Sequence, residues 1–334
     1  MRAGLVAFCM LFVACRTEAE HAASAPYDAG LSFVFADAAP QVIASASATP
    51  VTRTSGDERL AAYAKATPKA AKSIGHTSVV FRVDFASDAG ALRAAYKPES
   101  KRGHKRYRGE VAAYRLGKLL ALPNVPPAGI RILQREALRA ATQSDPKALA
   151  LFDEEVIDEK GRVHGALMPW IDKLEFTPVE SPAERARWTK WLKSGGELPD
   201  DQKSYAAQIS TLVVFDALTG NWDRWSGANV GIDKRTGTLL FVDNDGAFFD
   251  PVPPVFAPQM ALLRGVDRFS RSLVARLRAI DALMLADAFG EEEPGVPLLP
   301  ARVVAAADQR RKEVLSIVDE KIKALGEPAV LYFP

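Results

Sequence analysis

The sequence predicts an α+β fold in two lobes, a small β-rich N-terminal lobe followed by a larger helical one. Three observations lead there. Residues from Ser78 to Lys97 alternate like half-buried strands, and the pattern after Trp170 turns helical. An unusual density of acids and amides then follows an apolar helix. The chain has 334 residues, 48% hydrophobic and 25% charged, which suits one large domain or two modest ones. Lys and Arg total 43 against 41 for Asp and Glu. That balance gives no global attraction to nucleic acid or to an acidic membrane surface.

Met1-Arg2 is a minimal positive start ahead of the apolar run Ala3 to Ala14. Such a run rises only about 18 Å as a helix, too short for a bilayer core. It suits the apolar region of a secretory signal, with a buried N-terminal helix as the alternative. Phe12-Val-Ala-Cys15 resembles a bacterial lipobox, with Phe12 where the pattern prefers Leu. The resemblance implies a signal peptide over residues 1–14 and a membrane anchor on lipidated Cys15. Arg16 is not the Asp that signals inner-membrane retention in enterobacterial lipoproteins, so the expected place is the outer membrane, facing the periplasm or the cell surface. Both cysteines, Cys9 and Cys15, lie in this stretch, which leaves no disulfide or Cys-ligated metal for the body. Residues 15–57, rich in Ala, Ser, Thr and Pro, read as a flexible tether.

The body divides at Trp170 into an expected N-lobe, 58–170, and C-lobe, 171–334. Ser78 to Phe85 and Ala91 to Lys97 form an antiparallel pair. A basic loop follows, then a helix opening at Glu110 with Ala112, Leu116, Leu119 and Leu120 on one face, stopping before Pro123. Strand-like segments near 125–133 and 163–170 complete the small lobe, with one helix among its strands. In the C-lobe, Ser204 to Leu218 is helical, and Gly220 to Gly227 is a loop. Asn229 to Ile232 and Thr238 to Val242 form a hairpin. Two helical stretches, 269–289 and 301–325, close the chain.

The chemistry gathers around that hairpin, which would fold Asp223, Asn229 and Asp243 toward one point. Converging carboxylates and an amide oxygen suit Mg²⁺ or Mn²⁺ bridging phosphates. A carboxylate left off the metal can take a proton from an attacking hydroxyl. Taken singly, Asp223-Arg224 also reads as a helix-end ion pair and Asp243-Asn-Asp-Gly246 as a simple turn. Asp216 reads as a structural acid bracing the loop. The basic run Lys101 to Arg108 reads first as a solvated loop, then as a contact for phosphates or an acidic substrate, and last as a nucleic-acid patch. Trp188 and Trp191 read as packing residues. The histidines, His21, His76, His104 and His164, lack metal-ligand spacing.

Val214-Phe-Asp-Ala-Leu-Thr-Gly-Asn-Trp-Asp-Arg224 with Val242-Asp-Asn-Asp-Gly246 resembles the catalytic and metal segments of the secreted Golgi casein kinase family. More distantly it is similar to phosphatidylinositol kinases and HipA-type kinases. Upstream, Ala95-Tyr-Lys-Pro98, Glu110-Val-Ala-Ala-Tyr-Arg-Leu116 and Val125-Pro-Pro127 resemble the ATP-lysine strand, the glutamate helix and the following turn. The resemblance, over roughly residues 73–250, implies a protein-kinase-like fold using ATP and Mg²⁺ or Mn²⁺. It implies Lys97 on the α- and β-phosphates, Glu110 paired with Lys97, and Asp223 as catalytic base. Asn229 and Asp243 would bind metal, with Asp245 a further ligand. Met168 to Ile171, Trp170 included, would be the hinge against which adenine stacks. Three departures stand out. Asn229 lies one residue farther from Asp223 than is usual, Trp225 stands where related families often place His, and Ser73 to Ser78 has a single glycine for the phosphate loop. The expected function is phosphoryl transfer to a protein or small-molecule hydroxyl, with no nucleic acid as partner. A pseudokinase binding module and nucleotidyl transfer remain as alternatives.

Overall fold

Residues 55–75, 78–88, 90–249 and 259–334 are described by the computed structural model, all within the unit Ser45–Pro334. The expected signal peptide, Cys15, most of the expected tether, and His76 and Thr77 of the candidate phosphate loop lie outside the described residues. Regular structure starts inside the stretch assigned to the tether. Ser55 caps α1 (Gly56–Ala61) reciprocally, its hydroxyl accepting from Glu58 N at 3.1 Å while the Glu58 carboxylate accepts from Ser55 N at 2.6 Å.

The N-lobe sheet begins with β1 (Thr67–Ser73), β2 (Phe81–Ser87) and β3 (Gly90–Pro98). Then come α2 (Tyr107–Leu119), β4 (Gly129–Ile130), β5 (Leu133–Gln134), α3 (Arg135–Thr142), α4 (Pro146–Glu155), β6 (Arg162–Val163) and β7 (Gly165–Pro169). The main sheet runs β1-β2-β3-β7-β4, every neighbour antiparallel. β1 is an edge strand with a single buried residue, Ala71, and Lys69 and Lys72 exposed, so it lacked an apolar alternation to read. The sheet packs one face with Phe81, Phe85 and Tyr96 against Leu138 of α3 and Phe152 of α4.

Three expectations for this lobe need correcting. It holds more than one helix, because α3 and α4 cover the sheet; Asp145 caps α4 through Lys147 N and Ala148 N with Pro146 in the first turn. The expected strand at 125–133 survives only as the short pairs of β4 and β5, since Pro126 and Pro127 have no N–H for a ladder. The strand expected from Ser78 starts at Phe81.

The C-lobe opens with β8 (Leu174–Phe176) and α5 (Pro182–Trp191), whose Trp188 and Trp191 are packing residues as expected. Next is α6 (Lys203–Thr219), buried on nearly every side and closed by Gly220 at φ 61°. β9 (Val230–Asp233) and β10 (Thr238–Phe241) form the expected hairpin, Asp233 facing Thr238 and Val230 facing Phe241. After α7 (Gln259–Gly265), the expected helix at 269–289 divides into α8 (Arg271–Ala279) and α9 (Ala282–Phe289). The break falls where Asp281 turns its carboxylate to cap Met284 N at 2.9 Å. A small hairpin, β11 (Glu291–Glu293) and β12 (Val296–Pro297), precedes α10 (Ala301–Leu325), as expected, and α11 (Glu327–Val330). No helix among the described residues is long and apolar enough to cross a membrane.

Candidate active site

Strand register delivers the lysine. Tyr96 faces Leu167 and Lys97 faces Ala166 across β3 and β7. Tyr96 points into the N-lobe core, its hydroxyl donating to the carbonyls of Val163 at 2.8 Å and Arg131 at 3.0 Å. Successive strand residues face opposite ways, so Lys97 emerges on the other face. Its Nζ, almost wholly buried, lies 2.8 Å from Glu110 Oε1, 2.7 Å from Asp243 Oδ1 and 3.0 Å from Asp245 Oδ2. Burial alone would lower the ammonium's pKa, but these three acids hold it well above its ordinary value.

Glu110 comes from α2, which opens at Tyr107 instead of at Glu110 itself. The earlier start draws the end of the basic run into the first turn. Gly109 makes the close approach possible, because a Cβ there would stand 2.9 Å from the carbonyl oxygens of both Asn244 and Ala247. α2 therefore rests directly on the segment that carries Asp243 and Asp245.

The two acid segments are tied by Arg224, fully buried at the end of the loop after α6. Its Nε donates to Asp216 Oδ1 at 3.1 Å, and its Nη atoms donate to the carbonyls of Asn229 and Val242 and to Asn244 Oδ1. Arg224 thus pairs with Asp216 and not with its neighbour Asp223, and Asp216 braces the loop. Burial pushes the Asp216 carboxyl up to about 6 despite the guanidinium beside it. Gly246 allows a second close approach: a Cβ there would meet Asn221 Oδ1 at 2.6 Å and Asp223 Cβ at 2.9 Å. Asn221 also accepts from Asp223 N at 3.2 Å.

Asp223 reaches the cluster through Arg106, whose Nη2 lies 3.6 Å from Asp223 Oδ2 and also pairs with Asp245 Oδ1. Asn229 turns its amide nitrogen inward, donating to the Asp223 carbonyl at 2.7 Å and to Ser226 Oγ at 3.3 Å. Gly227 at φ 119° absorbs the extra residue between them. Asp243 itself sits at φ 55°, a left-handed conformation that an aspartate tolerates at some cost. Burial would raise its carboxyl's pKa, yet Lys97 holds it below the usual carboxylate value. For Asp245 burial wins and, helped by Asp243, pushes the carboxyl up to about 6.

No three acids, histidines or cysteines stand in metal-binding proximity among the described residues. The donor set nevertheless fits a divalent cation. Among the described residues, Glu110, Asp223, Asp243 and Asp245 form their ion pairs with Lys97 and Arg106, so four carboxylates share two cations. Asp243 keeps 37% side-chain exposure, and among the described residues its Oδ1 alone is paired. The inward turn of the Asn229 amide nitrogen leaves its oxygen as acceptor. All are hard oxygen donors, which suit Mg²⁺ or Mn²⁺.

Of the expected hinge, Met168 faces Ala95 on β3, two residues before Lys97. Trp170 N donates to Arg93 O at 2.9 Å, and Ile171 is half-buried beside it. The Arg82 guanidinium stands 6.0 Å from the Trp170 ring. Lys97, Glu110, Asp243 and Asp245 thus meet directly, Asp223 joins through Arg106, and Asn229 lies against the Asp223 backbone.

Three contributors escaped the sequence reading: Arg224 as a hub, Gly109 as a spacer and the β11 strand. Glu292 of β11 reaches back to the N-lobe, taking Tyr107 Oη of α2, pairing with Arg108 and lying 3.1 Å from His164 Nδ1. Arg224 was legible in part, since Asp216 reads from the sequence as an acid bracing the loop that carries it. Nothing local marks Glu292.

Two lobes joined beside a buried lysine–carboxylate cluster are the architecture of a protein-kinase-like fold. The model of the four-jointed box protein middle domain matches residues 99–277, more than half of the chain, and the chain belongs to this family. Among solved structures, hydra Fam20 with sugar is similar with a TM-score of 0.63 and 18% identity, over 81% of this chain and 90% of that one. The Golgi casein kinase with Mn/ADP bound is similar with a TM-score of 0.61 and 17% identity, over 83% of this chain and 78% of that one. A further Golgi casein kinase structure has a TM-score of 0.61 at 16% identity, over the same shares, 83% and 78%. These likenesses show the fold, which is the one that the sequence resemblance implied. Among curated proteins, none matches the chain.

Proposed function

We propose that this chain transfers the γ-phosphoryl group of ATP, with Mg²⁺ or Mn²⁺, to a hydroxyl of a protein or small molecule. The observation that carries the reading is the meeting of Glu110, Asp243 and Asp245 on Lys97 Nζ, with Asp223 one guanidinium away. Lys97 would exchange its two aspartates for the α- and β-phosphates while keeping Glu110 as its brace. Asp243, Asp245 and the Asn229 oxygen would hold the cation, which when bound neutralises charge on the phosphates. Asp223 would take the acceptor's proton as the new O–P bond forms and the bond to ADP breaks. Adenine would lie against Met168 to Ile171. A similar fold has been solved with Mn/ADP bound, which supports nucleotide and divalent metal as its ligands.

A binding module without chemistry is favoured by one observation, the extra residue between Asp223 and Asn229, whose amide is turned onto the Asp223 backbone. Incubation of the purified protein with γ- or α-labelled ATP and Mg²⁺ or Mn²⁺ separates the readings. Transfer of γ-label alone is the expected result. Transfer of α-label indicates nucleotidyl transfer, and no transfer with intact nucleotide binding leaves the binding module.

A further inference from the structure

We propose that Arg106 contacts the transferring phosphoryl group and stabilises the charge that passes across it. The inference rests on the phosphotransferase reading. It starts from how the basic run 101–108 divides. Arg102 pairs with Glu155 and Arg108 with Glu292, contacts that fasten the loop to its own surroundings. Arg106 alone of the three arginines turns onto the acids of the cluster. Its guanidinium pairs with Asp245, lies 3.6 Å from Asp223 Oδ2 and stacks 5.0 Å from the Trp222 ring centroid.

That position lies between the acids of the cation site and the acid nearest the acceptor. A phosphoryl group in transit must cross the same space. The bond from the γ-phosphorus to the β,γ-bridging oxygen breaks, the bond to the acceptor oxygen forms, the hydroxyl proton passes to Asp223, and ADP leaves. During that step negative charge spreads over the equatorial oxygens. Without Arg106 those oxygens would face Asp223, Asp243 and Asp245, with Lys97 as the one cation paired to these acids among the described residues. A guanidinium carries five N–H donors in a planar fork matched to phosphate oxygens. The Trp222 face holds it by a contact that does not depend on the carboxylates. When phosphate enters the cleft, Arg106 exchanges Asp245 for phosphate oxygens and stays on Trp222.

The competing role is a plug that Arg106 must vacate before nucleotide can bind. Calorimetric titration of wild type, Arg106→Ala and Arg106→Lys with Mn·AMP-PNP and with Mn·ADP distinguishes the two. Wild type is expected to bind Mn·AMP-PNP about tenfold tighter than Mn·ADP, the worth of a charge-assisted hydrogen bond to the third phosphate. Arg106→Ala should lose that preference while keeping its affinity for Mn·ADP, and turnover should fall by about 10²- to 10³-fold. Arg106→Lys should recover part of the preference, because it restores charge without the fork. Tighter binding of both nucleotides or faster transfer by Arg106→Ala would make the residue a plug and overturn the proposal. Equal weakening of both nucleotides, with a lowered melting temperature, would make it structural. If wild type binds neither nucleotide, the phosphotransferase reading itself falls, and the proposal with it.

Discussion

At the residue scale the site is an electrostatic balance around Lys97. One ammonium is shared by Glu110, Asp243 and Asp245, and the two aspartates are held in opposite senses, Asp243 ionised by the lysine and Asp245 pushed up to about 6 by burial. The two central acids should fail differently. Asp243→Ala is expected to abolish metal-dependent nucleotide turnover, since it removes a carboxylate proposed to hold the cation. Asp223→Ala should leave nucleotide binding largely intact and slow transfer by about 10²- to 10⁴-fold, roughly 3 to 5 kcal/mol of barrier. Parallel titration and single-turnover assays of both variants check this; an Asp223 variant as active as wild type would make that residue structural. These acids were legible because each lies in a short polar segment beside an apolar element. The pairing of Arg224 was only half legible. Its neighbour Asp223 is adjacent in sequence, but Asp216, in the last turn of α6, is adjacent in the buried space where a guanidinium must be neutralised.

At the scale of elements, the position of α2 decides whether Glu110 meets Lys97. Two contacts set it. Gly109 lets the helix rest on the carbonyls of Asn244 and Ala247. In an ordinary helix, Gly→Ala gains about 1 kcal/mol. Here the added Cβ would stand 2.9 Å from two backbone oxygens that cannot swing aside. Gly109→Ala should therefore destabilise the protein and weaken nucleotide binding, opposite in sign to propensity; a raised melting temperature would sink the argument. The second contact is Glu292, its side chain only 2% exposed, which joins β11 to Tyr107, Arg108 and His164. Burial is offset by the Tyr107 and His164 hydrogen bonds and the Arg108 charge, so the Glu292 carboxyl is held below its usual value. Glu292→Ala leaves Arg108 without its acid and should cost about 3 kcal/mol of stability, read from chemical denaturation. It should also weaken nucleotide binding by freeing α2, whereas Glu292→Gln, which keeps an acceptor, should lose less. Expected boundaries were most accurate for α6 and α10, where long apolar periodicity dominates. They failed at β1, α3 and α4, where short elements depend on neighbours for burial.

At the scale of the whole molecule, the lipobox-like stretch ending at Cys15 lies outside the described residues, and we propose that it anchors an exported protein. Changing Cys15 to Ser should move the chain from the membrane fraction to the soluble one, followed by fractionation and immunoblotting. Unchanged membrane association would contradict the lipid anchor. The sequence by itself determined the order of the two lobes, the long helices and the hairpin, because periodicity and turn chemistry are local. It also located the acids, the lysine and their family resemblance. The tertiary structure decided what no local pattern encodes: that α2 begins early and packs through Gly109, that Arg224 binds Asp216, that Glu292 returns to the N-lobe, and that Arg106 alone of the run's arginines turns onto the acids of the cluster. The physical reason is common to all four. Each is a contact between groups distant along the chain, and its partner is chosen by the need to neutralise a buried charge or to fit a backbone against another, which only the packed chain defines.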